Sequence, residues 1–424
     1  MHLSARHQTR LIQFFPLVAL ISGPAQILGE GFRNPPPGAF SLGRAGGRIA
    51  HIDDASAVQQ NPANMIDLDQ PALSLAPSVV YIYVEHDSAT GHHSETTNPW
   101  KFLPNFFFAT PFQEGKFAAG IGLTTPYGLS NEWEKSGGFD PGGPLRYTAP
   151  WFTEMKTVNL NPSAALKISD TLSIGAGVDV MWSELTFKYF YPWGAIVAGS
   201  PDGNIKARAD GVGLGVNAGI TWEPLEGHRV ALTYRSPIEV EYDGYFKIDN
   251  IPAGIAQERS DFSTDIDFPT IVAVGYGIEL SPTIRVEVDV EWLEFSNFGA
   301  LNLDIGANSF LFGTAAYVPQ NWKNTFTAGI GGDWKFAPNW VFRTGYQFYE
   351  SPVPDYTFSP TIPDANQHVF TTGIGYTHKQ HTIEFAYGGI FYDERNITSN
   401  QNPAYLGTYS INVHLFAFRY EFVF

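Results

Sequence analysis

The chain has 424 residues, no cysteine, a formal net charge of −17, and only 16% charged against 15% aromatic residues. Without cysteine there is no disulfide framework and no thiolate chemistry, and the acidic balance excludes nucleic acid as a partner, because phosphate backbones call for a basic footprint. An ordinary soluble domain is roughly one quarter charged, so the low charge and abundant rings point away from that class.

In chain order, residues 1–29 read as a secretory signal. Arg6 and Arg10 supply a positive start and Leu11–Ile21 an apolar run. Cleavage is expected near Gly29, which leaves Glu30 at the start of the mature chain. Beyond this segment no run of roughly 20 apolar residues occurs. A membrane protein built without such helices must be a closed β-barrel, because lipid satisfies no backbone hydrogen bond.

Next comes a small, polar, helix-like stretch, "LGRAGGRIAHIDDASAVQQNPAN", Leu42–Asn64. Asn61 is a good N-cap before Pro62, whose fixed φ suits a first helical position, and Ala63 follows. Ser41 is expected to cap "LGRA" in the same way. Asp53 and Asp54 precede the small residues Ala55, Ser56 and Ala57, where a helix dipole favours a carboxylate. Capping is therefore the expected role of both aspartates, ahead of metal binding or catalysis.

From Pro71 onward the pattern has period two. In "IRVEVDVEW", Ile284 to Trp292, the apolar residues share one face and Arg285, Glu287, Asp289 and Glu291 the other. "WVFRTGYQF" and the terminal "HLFAFRYEFVF" repeat this, with Arg343, Gln347, Arg419 and Glu421 on the polar face. Such alternation marks a sheet with one apolar and one polar side. Fourteen strands are expected, near 71–86, 101–112, 116–127, 151–167, 171–190, 204–222 and 229–246. The remainder lie near 266–280, 283–296, 322–336, 340–350, 367–377, 381–392 and 408–424.

The connections alternate between short ones, such as Gln113–Gly115 and Ser281–Pro282, and long ones, such as Gly128–Pro150 and Asn297–Asn321. An up-and-down membrane barrel has this pattern, with tight periplasmic turns at one rim and long extracellular loops at the other. Tryptophans near strand ends suit aromatic girdles at both interfaces. A final Phe424 suits the address read by the outer-membrane barrel assembly machinery.

Other patterns carry less. "GVGLGVNAG", Gly211–Gly219, lacks the G-x-G-x-x-G spacing and a following helix, so its glycines are expected to leave room inside the barrel for ligand or plug. His92 and His93 read as a solvated pair in a loop, because a metal site needs further ligands. No Gly-x-Ser-x-Gly element occurs, and no cofactor or metal is expected.

The Leu42–Asn64 stretch resembles the N-terminal hatch of the FadL family of outer-membrane transporters for long-chain fatty acids and other hydrophobic compounds. "TPYGLSNEW" (Thr125–Trp133), "TYRSPIEVEYDG" (Thr233–Gly244) and "NWVFRTGYQFYESPVPDYTFSPTIPDANQH" (Asn339–His368) resemble that family in the same order. The resemblance implies an all-β fold, a fourteen-stranded antiparallel transmembrane barrel (71–424) plugged by a helical hatch (30–70). The function it implies is passive uptake of fatty acids, with neutral hydrocarbons as the alternative and a barrel lipase or esterase as a third reading. It places the protein in the outer membrane as a monomer among lipid and lipopolysaccharide. It also implies a capture loop with Phe190, Trp193, Ile196 and Val197, and a pocket reached by Phe32. A lateral opening in the third strand is expected at Gly120, Gly122 and Pro126. A carboxylate ligand would call on Lys188, Lys323 or Arg343.

Overall fold

The structure, a computed structural model, describes residues 30–253, 259–306 and 315–424. The expected signal at 1–29 lies outside the described residues.

Fourteen antiparallel wall strands close on themselves. β1 runs as Ala72–Leu75 and Ser78–Ser88, β2 as Trp100–Leu103 and Phe106–Phe112, and β3 as Phe117–Thr124 and Gly128–Glu132. β4 (Phe152–Ser169), β5 (Leu172–Tyr191) and β6 (Gly203–Leu225) are long and continuous. β7 (His228–Arg235, Ile238–Asp249) and β8 (Arg259–Phe268, Ile271–Ser281) are again broken. β9 (Ile284–Leu293), β10 (Thr325–Ala337), β11 (Trp340–Tyr349) and β12 (Gln367–His378) follow. β13 (His381–Tyr392) and β14 (Gly407–Val423) complete the wall. β14 pairs with β13 on one side and with β1 on the other, which shuts the barrel and leaves no free edge.

Proline sets the breaks: Pro77, Pro104, Pro126, Pro237 and Pro269 each lie between two segments of one strand. Proline cannot donate to a ladder, so pairing stops there. Three expectations need correction for this reason. β3 does not end at 127 but resumes after Pro126. β8 begins at Arg259 rather than 266, because it pairs with the second half of β7. The loop expected at 297–321 holds a hairpin, Ala300–Ile305 with Ala315–Pro319.

The alternation sorts lipid from lumen. Val288 and Val290 on β9 are exposed, whereas Glu287, Asp289 and Glu291 are buried inside. Two bands of rings flank the apolar belt. Toward the long loops, Tyr81 packs on Trp100, and Tyr387 bonds to His414. Toward the short turns, His381 bonds to Tyr420, and Trp340 packs on Tyr376. Trp133, Trp193 and Trp322 do not join these bands; they are buried inside.

Residues 30–70 fill the lumen. α1 (Gly38–Arg44) packs on β10 to β14, and α2 (Ala57–Gln60) on β2, β3 and β4. A 3₁₀ turn over Pro62–Asp67 rests on β4, β5 and β6. Asn61 caps that turn by accepting from Ala63 N–H, with Pro62 first in it. Ser41 does not cap a helix: it lies inside α1, which starts at Gly38 without a side-chain cap. Gly211 and Gly213 serve the wall itself, since a Cβ there would stand 2.0 and 2.4 Å from the carbonyls of Glu241 and Glu239 on β7.

Candidate functional site

Charged side chains of the inner wall grip the plug. Glu287 accepts from the backbone N–H groups of Ile49, Ala50 and His51 and pairs with Arg44 at 3.0 Å. Asp289 takes Arg48 N–H at 2.7 Å, and Glu291 pairs with Arg33 and Arg48. On the opposite wall Arg419 joins Asp54, Glu384 and Glu421, and Glu384 also holds Arg343. Asp53 pairs with Arg285 at 3.0 Å. Both hatch aspartates are therefore ion-pair anchors rather than helix caps; Asp54 also accepts from Ser56 N–H at 2.8 Å in the turn that leads into α2. Asn61 fixes the turn to the wall through Thr221 at 2.9 Å.

The tip of the plug is held differently. The Phe32 ring is fully buried in a cage of Tyr127, Phe268, Phe295, Phe298 and Trp322, with centroids 5.2–6.0 Å away. Gly31, with φ +69°, lies flat on Trp322, where a Cβ would approach to 2.2 Å. Its N–H donates to Asp364 Oδ2 at 3.3 Å, and Ser351 Oγ donates to the same oxygen at 2.7 Å. Burial pushes the Asp364 carboxyl up to about 7 despite these two donors.

Residues 32–34 also complete the wall where β3 is broken. Gly128 N–H donates to Phe32 O at 2.8 Å and Asn34 N–H to Pro126 O at 2.9 Å. The Asn34 amide reaches Thr125 O at 2.8 Å, and Arg33 bridges Tyr127. Pro126 thus marks a discontinuity that the N-terminal segment covers. Gly120 and Gly122 do not belong to it: both sit in unbroken pairing with β2 and β4. Their smallness admits the plug, since a Cβ on Gly120 would lie 2.4 Å from Val58.

Beyond Trp322, toward the long loops, opens a cavity of about 570 Å³. Phe187, Ile205, Phe246, Phe262, Leu301 and Ile305 line it, together with Trp322, and none of its described lining residues carries a formal charge. One indole therefore separates the cavity from the Phe32 cage.

The expected capture residues stand elsewhere. Trp193 is buried with its Nε1 on Asp249 O, while Phe190 lies between Trp151 and the Arg146 guanidinium. Ile196 and Val197 are exposed outside the cavity. Parity explains this placement. On β5 the odd residues Ser173, Asp179 and Ser183 are buried inside, and Val178 is exposed. Carrying that count forward sends Phe187 and Tyr189 inward, and Lys188 and Phe190 to the other face. Lys188 accordingly stacks on Phe152 at 4.2 Å. Lys323 pairs with Glu350, and Arg343 lies over Phe40 within the plug's ion-pair network. The structure brings none of the three cations to the cavity wall.

Comparison with known proteins fits this geometry. Residues 21–424 match the family model described as outer membrane protein transport protein (OMPP1/FadL/TodX). The long-chain fatty acid transport protein of Escherichia coli strain K12 is 26% identical, over 91% of this chain and 92% of its own. Outer membrane protein P1 of Haemophilus influenzae is 22% identical, over 90% and 93%. Among solved structures, a Pseudomonas aeruginosa FadL homologue superposes with TM-score 0.79 at 21% identity, covering 93% of this chain and all of its own. The Pseudomonas putida toluene transporter TodX gives 0.73 at 17%, covering 91% and 98%.

Proposed function

This chain belongs to the outer membrane protein transport family, and from that premise we propose that it takes up long-chain fatty acids across the outer membrane. The observation that carries the reading is the adjoining pair of apolar spaces, an open cavity and a caged Phe32, divided by the Trp322 ring. A ligand entering from the long-loop side buries its chain in the cavity and competes for the cage. Burial of one Phe is worth about 1.5–3 kcal/mol, so a chain of several methylenes, at about 0.8 kcal/mol each, can displace it. Retreat of residues 31–34 then uncovers the break at Pro126 and gives the ligand a path sideways into the bilayer. A ligand shifts this equilibrium only by its differential affinity for the two states, and the cage supplies that difference.

A second reading has its own support. The uncharged lining, with Lys188, Lys323 and Arg343 engaged elsewhere, suits a neutral hydrocarbon as well as a carboxylate held at the cavity mouth. In either case the protein acts as a monomeric transporter rather than an enzyme. It would be inserted by the barrel assembly machinery and ringed by lipid and lipopolysaccharide. Uptake of labelled oleate and labelled toluene by cells with and without the protein tests this. Oleate uptake that depends on the protein and drops in Phe187→Ala is expected. Toluene uptake alone would favour the second reading. Uptake of neither, with hydrolysis of a lipid ester instead, would overturn both.

A further inference from the structure

We propose that the outward face of the hairpin joining β1 to His93–Glu95 binds one divalent transition-metal ion of the zinc type, through His93 Nε2 and the carboxylates of Glu85 and Glu95. Sequence alone reads His92 and His93 as a solvated pair; pairing in space supplies the missing ligands. Glu85 stands directly opposite Glu95, and Asp87 directly opposite His93. Ligand atoms of Glu85, His93 and Glu95 lie within 4.8 Å of one another.

The imidazole is oriented for the task. Its Nδ1 bonds to Asp87 Oδ1 at 2.8 Å, which leaves Nε2 turned toward Glu95 Oε2 at 3.9 Å. That separation is too long for a hydrogen bond, yet it leaves room for an ion between the two atoms, given metal–ligand distances of about 2.0–2.2 Å. A carboxylate on the far nitrogen of a metal-binding histidine fixes the tautomer and raises ligand basicity. Two glutamates facing each other across a strand pair repel when nothing lies between them, and a cation turns that cost into binding. Tyr83 hydroxyl steadies Glu95.

The backbone is fixed before any ion arrives. Thr96 N–H donates to Val84 O, Glu134 N–H to Glu95 O, and Gly138 N–H to Ser94 Oγ, at 2.9–3.0 Å. Glu85 lies four residues beyond Tyr81 of the aromatic band, roughly 13 Å at strand rise, so the site is outside the hydrocarbon. Nitrogen from one histidine with two carboxylates is a donor set for zinc, with a fourth position left to water.

The test is titration calorimetry of full-length, tag-free protein in detergent with zinc chloride, in a chelator-free buffer. One ion per chain is expected. Binding should weaken at least about tenfold in His93→Ala and in Glu85→Gln, and about 10–100-fold in Asp87→Asn. It should be unchanged in His92→Ala, whose ring turns to Thr90. The variants should melt as the parent protein does, which verifies folding. No zinc binding by the parent protein overturns the proposal. So does affinity indifferent to His93→Ala, or calcium bound as tightly as zinc, since either would mean a diffuse acidic surface.

Discussion

The body and the tip of the plug share one chain but differ in how much of their hold is charge and how much is apolar contact. From Arg44 to Asn64 the plug is fastened by buried ion pairs and by backbone N–H groups aimed at carboxylates, with Glu287 alone serving three of them. From Gly31 to Asn34 it is held by one caged aromatic ring, a few backbone bonds, a carboxyl that burial favours in its neutral form, and a single charged tie, Arg33 on Glu291. Hydrogen-bonded charges in a sealed lumen have no substitute partner, so removing one is expensive. An apolar cage can trade its occupant for another apolar group at little cost. A stationary anchor therefore sits beside an exchangeable one, as a gate requires.

Breaking the stationary half should produce the largest effect. Glu287→Ala strands three backbone donors in the lumen and leaves Arg44 with Asp333 as its remaining carboxylate, and removing one partner of a buried pair costs about 3–5 kcal/mol. A lower melting temperature and leakage of small polar antibiotics through the loosened barrel are expected, measured by calorimetry and by susceptibility of expressing cells. A melting curve like that of the parent protein would show that β9 does not carry the plug. Phe32→Ala addresses the exchangeable half. Losing its burial costs about 3 kcal/mol, or roughly 150-fold in tip docking. The barrel should melt as before while amide exchange at residues 31–34 accelerates by that factor. If exchange is unchanged, the cage is not what holds the tip.

The two halves were unequally legible in the sequence. The wall could be read because period two and the alternation of turn lengths are local signals, and the strict polar face of "IRVEVDVEW" announced a charged lumen. Asn61 and Pro62 were legible because capping is decided within three residues. The break in β3 was legible at Pro126, but Gly120 and Gly122 were not separable from it: a glycine that opens a wall and one that admits a packed valine look alike until Val58 is placed. The cavity was hidden for another reason. It is assembled from β5, β6, β7, β8 and the paired segments Ala300–Ile305 and Ala315–Pro319, and no short stretch records that convergence. Its one readable clue, the parity of Phe187 and Tyr189 with Ser183, was masked by the denser apolar run just beyond.

Within the window of pH 5 to 7, the smallest expected effect separates the halves by pH. The Asp364 carboxyl stands at about 7 in the docked structure because it is buried; withdrawal of the tip would admit water and return it toward the ordinary value near 4. A raised acid pKa means that the docked state holds a proton the released state has lost. Docking is thus strongest below about pH 4. It weakens by up to about 1.4 kcal/mol per unit as pH rises toward 7, and is flat above. The body of the plug makes no hydrogen bond to Asp364, whose donors are Gly31 and Ser351, so whatever pH dependence it has is shared by parent and variant. Asp364→Asn cannot titrate, so dividing parent by variant cancels the intrinsic pH dependence of amide exchange. Between pH 5 and 7 the ratio of protection at Gly31–Asn34 should fall about tenfold per unit, while that at Ile49–His51 stays constant. A flat ratio at the tip would mean that Asp364 stays ionised on docking, and that the gate is set by the Phe32 ring and the Arg33–Glu291 pair without it.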